Sequence, residues 1–298
     1  MPADPTLERL ARSWKLSLEA GNKAPRTIET YLDAVRLFVE WLETNDQPTT
    51  IRVIDRSHVN GFIADQVARH RPSTASVRYR GLRVFFRWAV DEDEIMVSPM
   101  DKMSPPIVPE EPVGIVSDED MRKLLKVCDG KSFEDRRDSA IMRLLYDTGV
   151  RRAELAGLTV TDVDLDHRIV TVLGKGRRPR SVPFGANAAR SLDRYLRARD
   201  SHALAATPAL WLGTSSRGFS DVAVRQMLER RGAQAGVAGL HAHAFRHGFA
   251  HAHLSEGGHE NDLMRLAGWK SRQMLSRYGA SVADERARNN YKSPGDRL

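Results

Sequence analysis

Between residues 241 and 279 the chain reads HAHAFRHGFAHAHLSEGGHENDLMRLAGWKSRQMLSRYG. His243 and Arg246 are three apart, so on a helix they share a face. A guanidinium beside an imidazole suits the grip of a phosphate, because arginine offers paired donors and keeps its charge. Tyr278 supplies a hydroxyl that can act as nucleophile on that phosphate. Two further stretches carry matching chemistry: TGVRRAEL at 148–155 and GKGRRPRSVP at 174–183. Transesterification at a phosphodiester needs an in-line nucleophile, cations on the non-bridging oxygens and an acid for the leaving oxygen. The chain offers a candidate for each. A metal reading competes, since His243, His247 and His251 recur at i, i+4 and i+8. No HExxH glutamate accompanies them and Cys128 is the sole cysteine, so no metal is expected.

A turn with an arginine, a lysine between two short strands, an HxxR helix and a late tyrosine occur in that order. In this the chain resembles the tyrosine recombinases, the family of phage integrases and Xer proteins, over nearly its whole length. The resemblance implies that Arg151 and Arg246 hold the scissile phosphate, with Glu154 orienting nearby groups. It implies Lys175 as general acid toward the 5′-oxygen and His243 as a hydrogen-bond partner that helps deprotonate the tyrosine. Trp269 stands where the family often carries histidine. Its indole N–H can donate but is neither acid nor base at neutral pH, so it is expected to donate or to buttress the pocket. Tyr278 is the implied nucleophile, following Arg277 in the common RY pair, and Tyr291 is the rival. Arg246-His247-Gly248 departs from the more frequent RHT or RHS. No cofactor is implied.

Positioning these groups requires a scaffold. Helical spacing predicts helices at 6–20, Pro25–Glu43, from an N-cap at Ser57 to Arg69, and from Ser73 or Thr74 to the acidic cluster Asp91–Glu94. In the fourth, Val77, Gly81, Val84, Phe85 and Trp88 form the expected core stripe. Arg80, Arg83 and Arg87 lie on an adjacent side, within a run from Arg69 to Arg87 that holds no acid. Such a row fits a DNA backbone. Five prolines between 98 and 116 predict an extended linker. The expected division is a helical domain at 1–97, a linker at 98–116 and a catalytic domain with a C-terminal tail at 117–298. In the last, Ser117 with Asp120 predicts a capping box. A helix at Asp138–Asp147 ends at Thr148–Gly149, and Arg151 begins a short one. Strands at Ile169–Leu173 and Arg180–Pro183 flank the turn bearing Lys175, with Arg177 and Arg178 as further DNA contacts. Helices follow at 186–199 and 220–235 and through the 241–279 stretch. The expected class is mainly α with a small antiparallel β-sheet: an N-terminal helical core-binding, SAM-like domain and a mixed α/β catalytic domain.

The 298 residues are 41% hydrophobic and 29% charged, with a net charge of +7. Acidic and basic residues balance over 1–95, so the excess falls on the remainder and points to a polyanionic partner. No apolar run can span a membrane, and the start lacks a secretory pattern; a cytoplasmic protein is expected. The resemblance implies double-stranded DNA as partner, a homotetramer on two specific sites with a Holliday junction between them, and leaves accessory proteins open. An integrase is favoured, without an arm-binding domain, because the core-binding pattern starts near Thr6. A Xer-like resolvase, a type IB topoisomerase and a catalytically silent DNA-binding protein are the alternatives.

Overall fold

The computed structural model describes residues 4–109, 114–174, 178–213, 218–269, 271, 275 and 291. Backbone contacts divide the chain into two units, meeting between Glu111 and Pro112.

Among the described residues the first unit carries four α-helices, α1 (Leu7–Ala20), α2 (Pro25–Thr44), α3 (Arg56–Arg69) and α4 (Pro72–Asp91), with a 3-10 turn at Ile51–Val53. α3 starts two residues earlier than an N-cap at Ser57 suggests. Asp55 is its N-cap, and its carboxylate accepts from the Ser57 and His58 backbone N–H groups. Trp14 is the centre of an aromatic core. It stacks on Tyr31 at 5.7 Å and meets Phe85 edge-on at 5.2 Å. The stripe expected for α4 is rotated. Ala75, Tyr79, Leu82, Phe85, Phe86 and Ala89 face the core, while Val77 and Val84 are exposed beside the exposed Arg80, Arg83 and Arg87. Tyr79, Leu82 and Phe86 bury more apolar area than two valines would, which decides the rotation. Gly81 allows α2 close: a Cβ there would sit 2.7 Å from that of Ala34. Part of the segment read as linker belongs to this core. Met100 and Met103 are buried in it, and the Tyr79 hydroxyl donates to the Met103 carbonyl at 2.6 Å.

The second unit carries α5 (Asp118–Lys126), α6 (Phe133–Thr148), α7 (Arg152–Ala156), α8 (Ala186–Arg199), α9 (Asp221–Ala235), α10 (Ala242–Ser255) and α11 (Glu260–Ala267). Its antiparallel sheet has the order β1-β2-β3: Val163–Asp164, Ile169–Leu173 and Pro179–Pro183. Sequence spacing missed β1, a two-residue strand paired with Ile169 and Val170. The capping box of Ser117 and Asp120 opens α5. α6 begins at Phe133, a turn before Asp138, because the Ser132 hydroxyl caps it. Asp138 is fully buried and holds Arg137, Arg230 and Arg231, which ties α6 to α9. α6 ends at Gly149, whose φ of +55° is the left-handed cap glycine tolerates. Among the described residues no helix is long and apolar enough to cross a membrane.

Candidate functional site

Arg151 is the N-cap of α7, one residue before the helix rather than in it. Glu154 closes a box around it: the carboxylate accepts from the Arg151 backbone N–H at 2.9 Å and from its guanidinium at 2.8 Å. The same carboxylate takes a two-pronged grip from Arg180 of β3, at 2.7 and 3.0 Å. Burial would raise the Glu154 carboxyl, but Arg180, then the Arg151 backbone, hold it down to about 2. It is therefore a fixed anion that braces Arg151. Arg152 pairs with Asp221 of α9 at 3.1 Å. The two adjacent arginines thus hold different carboxylates, Glu154 and Asp221.

His243 and Arg246 lie in the first turns of α10. The helix is capped by His241, whose Nδ1 accepts from the Ala244 N–H at 2.9 Å. Histidine is not among the usual capping residues, which is why sequence reading missed this role. Arg246 is 2% exposed. A buried cation needs partners. One arm donates to the Gly149 carbonyl at 2.7 Å and the other to the Ala267 carbonyl at 2.6 Å. Its guanidinium also lies 5.3 Å from the ring centre of buried Trp269, a cation–π contact. Trp269 thus supports the arginine. The His243 and His247 rings meet edge to face at 4.6 Å. Burial, then Arg246, His241 and Arg151, lowers the His243 pKa. Burial, then the neighbouring histidines, pushes His247 down to about 4. Both rings are thereby biased toward the neutral form.

Arg151, Arg152, Arg225, His241, His243 and Arg246 line one cleft of about 430 Å³. The one carboxylate among its described lining residues, Glu229, is held by Arg225 at 2.7 Å. The N-terminus of α10 adds its partial positive charge, so the cleft is cationic and suits an anion. Three candidates from sequence, Arg151, His243 and Arg246, come together here from α7 and α10. Lys175, Arg177 and Tyr278 lie outside the described residues. Arg178 is exposed at the end of the hairpin, and its carbonyl accepts from the Gly174 N–H at 2.9 Å. Tyr291 is exposed. Among the described residues no group of three His, Cys, Asp or Glu side chains is placed to hold a metal. Two contributors escaped the sequence: Arg180, whose partner is distant in the chain, and Arg225, one of many arginines on α9.

Residues 115–285 match the model of the phage integrase family, and residues 10–95 match that of the phage integrase N-terminal SAM-like domain. The chain belongs to the phage integrase family, the tyrosine recombinases. These are DNA cleavage and rejoining enzymes. Tyrosine recombinase XerC of Myxococcus xanthus is 28% identical over 288 residues, 92% of this chain and 93% of that protein. XerC of Corynebacterium glutamicum is 31% identical over 209 residues, 69% and 67% of the two chains. The fold also matches the Tn1549 transposon integrase in complex with circular intermediate DNA, at a TM-score of 0.77 and 19% identity over 97% of this chain and 99% of that one. The XerH site-specific recombinase bound to palindromic difH substrate matches at 0.75 and 17% identity, over 95% and 84%.

Proposed function

We propose that this tyrosine recombinase is a site-specific integrase acting on double-stranded DNA, with Arg151, Lys175, His243, Arg246 and Tyr278 as its catalytic set and Trp269 behind Arg246. The cationic cleft shared by Arg151, His243 and Arg246 carries the reading. The two guanidiniums hold the non-bridging oxygens and stabilise charge in the pentacoordinate state. The Tyr278 oxygen attacks phosphorus, and neutral His243 takes its proton. The bond to the 5′-oxygen breaks, and Lys175 protonates that oxygen. The product is a 3′-phosphotyrosine and a free 5′-hydroxyl. A 5′-hydroxyl of the partner duplex then attacks the phosphotyrosine, restoring the phosphodiester and the tyrosine, and a Holliday junction forms between the two exchanges. The phosphoryl link conserves the bond energy, so neither ATP nor a metal is needed.

Four protomers on two sites, with accessory proteins where the site demands them, fit this chemistry. Arg80, Arg83 and Arg87, with Arg177 and Arg178, supply phosphate contacts outside the cleft. The similarity to XerC proteins supports a second reading, a Xer-like resolvase of chromosome dimers. The test is strand exchange between two labelled duplexes bearing the site, in EDTA. Joined product from both duplexes is expected. Relaxation of supercoils without joined product would indicate a topoisomerase, and zinc-restored activity would revive the histidine metal site.

A further inference from the structure

Three consecutive carbonyls at the C-terminus of α11 are each received by a different arginine. Leu266 accepts from Arg180 Nε at 2.8 Å, Ala267 from Arg246 Nη2 at 2.6 Å, and Gly268 from Arg151 Nη2 at 3.4 Å. The negative end of the helix dipole faces all three. Arg151 and Arg246 line the phosphate cleft, whereas Arg180 does not. The remaining arms of Arg180 grip both oxygens of Glu154, and Glu154 in turn braces Arg151. Both partners of this grip are nearly buried, with side chains 12% and 7% exposed. The fit is close at a second point. A Cβ on Gly268 would lie 3.1 Å from Arg180 Nη1, and that glycine has a φ of +65°.

We propose that Arg180 is a positioning residue for strand cleavage: its planar fork fixes Glu154, and through it Arg151, at a set distance from the end of α11. The strand that bears Arg180 leads back to the Lys175 turn, and α11 leads on to Trp269 and Tyr278 in the chain. One guanidinium therefore ties β3, the start of α7 and the end of α11 together. Only arginine can do this. Lysine keeps the charge but has no planar fork to bind two carboxylate oxygens and a carbonyl together. The inference rests on the reading of Arg151 as phosphate clamp.

The experiment uses the full chain with Arg180→Lys, Arg180→Gln, Arg151→Ala and the double variant Arg180→Gln/Glu154→Gln. Thermal melting, affinity for site DNA and single-turnover cleavage of a nicked site are measured from about pH 5 to 8, where ordinary carboxyls stay ionised. Folded Arg180 variants should bind DNA like the unaltered chain and cleave about 100-fold more slowly, as small misplacements do. Arg180→Gln should also gain a loss of cleavage on the acid side, since burial then raises the Glu154 carboxyl and its protonation releases Arg151. The double variant should lack that added loss and keep only the acid limb that protonation of His243 gives every form. Unchanged cleavage in a folded Arg180→Lys, or cleavage falling only in step with DNA affinity and melting temperature, would overturn the proposal. Full cleavage by Arg151→Ala would remove the clamp reading itself, which loss in Arg151→Ala with an unaffected Arg180→Lys would leave standing.

Discussion

His247 of α10 is a buried imidazole, packed edge-on against His243 and near His241 and Arg246. Its pKa of about 4 in the folded chain lies below the ordinary imidazole value of 6.5. The unfolded chain therefore binds the extra proton first as pH falls. Stability is present above pH 6.5 and is lost as pH drops from there toward about 4. The lowered pKa of His243 acts in the same direction. Melting temperature followed through this window should fall more steeply in the unaltered chain than in His247→Asn. Parallel slopes would mean that His247 does not titrate abnormally. The residues of local motifs were legible without coordinates: Arg151 in TGVR, and His243 and Arg246 in HAFR. Glu154 was legible only as an orienting partner. The ion pair that gives it that role joins it to Arg180 on another element, and no local spacing encodes such a pair.

Two elements show where periodicity reached its end. On α4 the expected stripe of Val77, Gly81, Val84, Phe85 and Trp88 shares Gly81 and Phe85 with the buried face and partly buried Trp88 with its edge, while Val77 and Val84 lie outside it, because larger side chains one residue away compete for the core. The exposed Arg80, Arg83 and Arg87 are unaffected by that rotation. Replacing all three with alanine should weaken binding across DNA sequences and reduce the salt slope by about 2–3, roughly one per lost phosphate contact. Titrations at several salt concentrations check this, and an unchanged slope would reduce the row to a solvated face. The end of α6 was legible, since Gly149 after Thr148 is a helix stop. Its second role was not. The Gly149 carbonyl anchors Arg246, and a Cβ there would sit 2.7 Å from the Phe249 ring. Gly149→Ala should cost about 1–2 kcal/mol from the left-handed backbone alone, with the clash added. Urea unfolding measures the loss, and cleavage should fall further than Gly236→Ala, at the αL cap of α9, can produce.

At the scale of the molecule, the order of helices and the sheet followed from sequence because caps and apolar spacing are local. The extent of the first unit did not. Prolines announce a break in helix, yet Met100 and Met103 still reach back into the aromatic core. Lys175, Arg177 and Tyr278, together with the tail from 279 except Tyr291, lie outside the described residues, so their roles rest on the motifs. The central claim is that Tyr278 attacks a phosphate held by Arg151 and Arg246. The most direct measurement is covalent trapping on a nicked suicide site, with the unaltered chain, Tyr278→Phe and Tyr291→Phe. The account predicts an adduct with the unaltered chain and with Tyr291→Phe, and none with Tyr278→Phe at undiminished DNA affinity. An adduct that persists in Tyr278→Phe, or vanishes only in Tyr291→Phe, would contradict it.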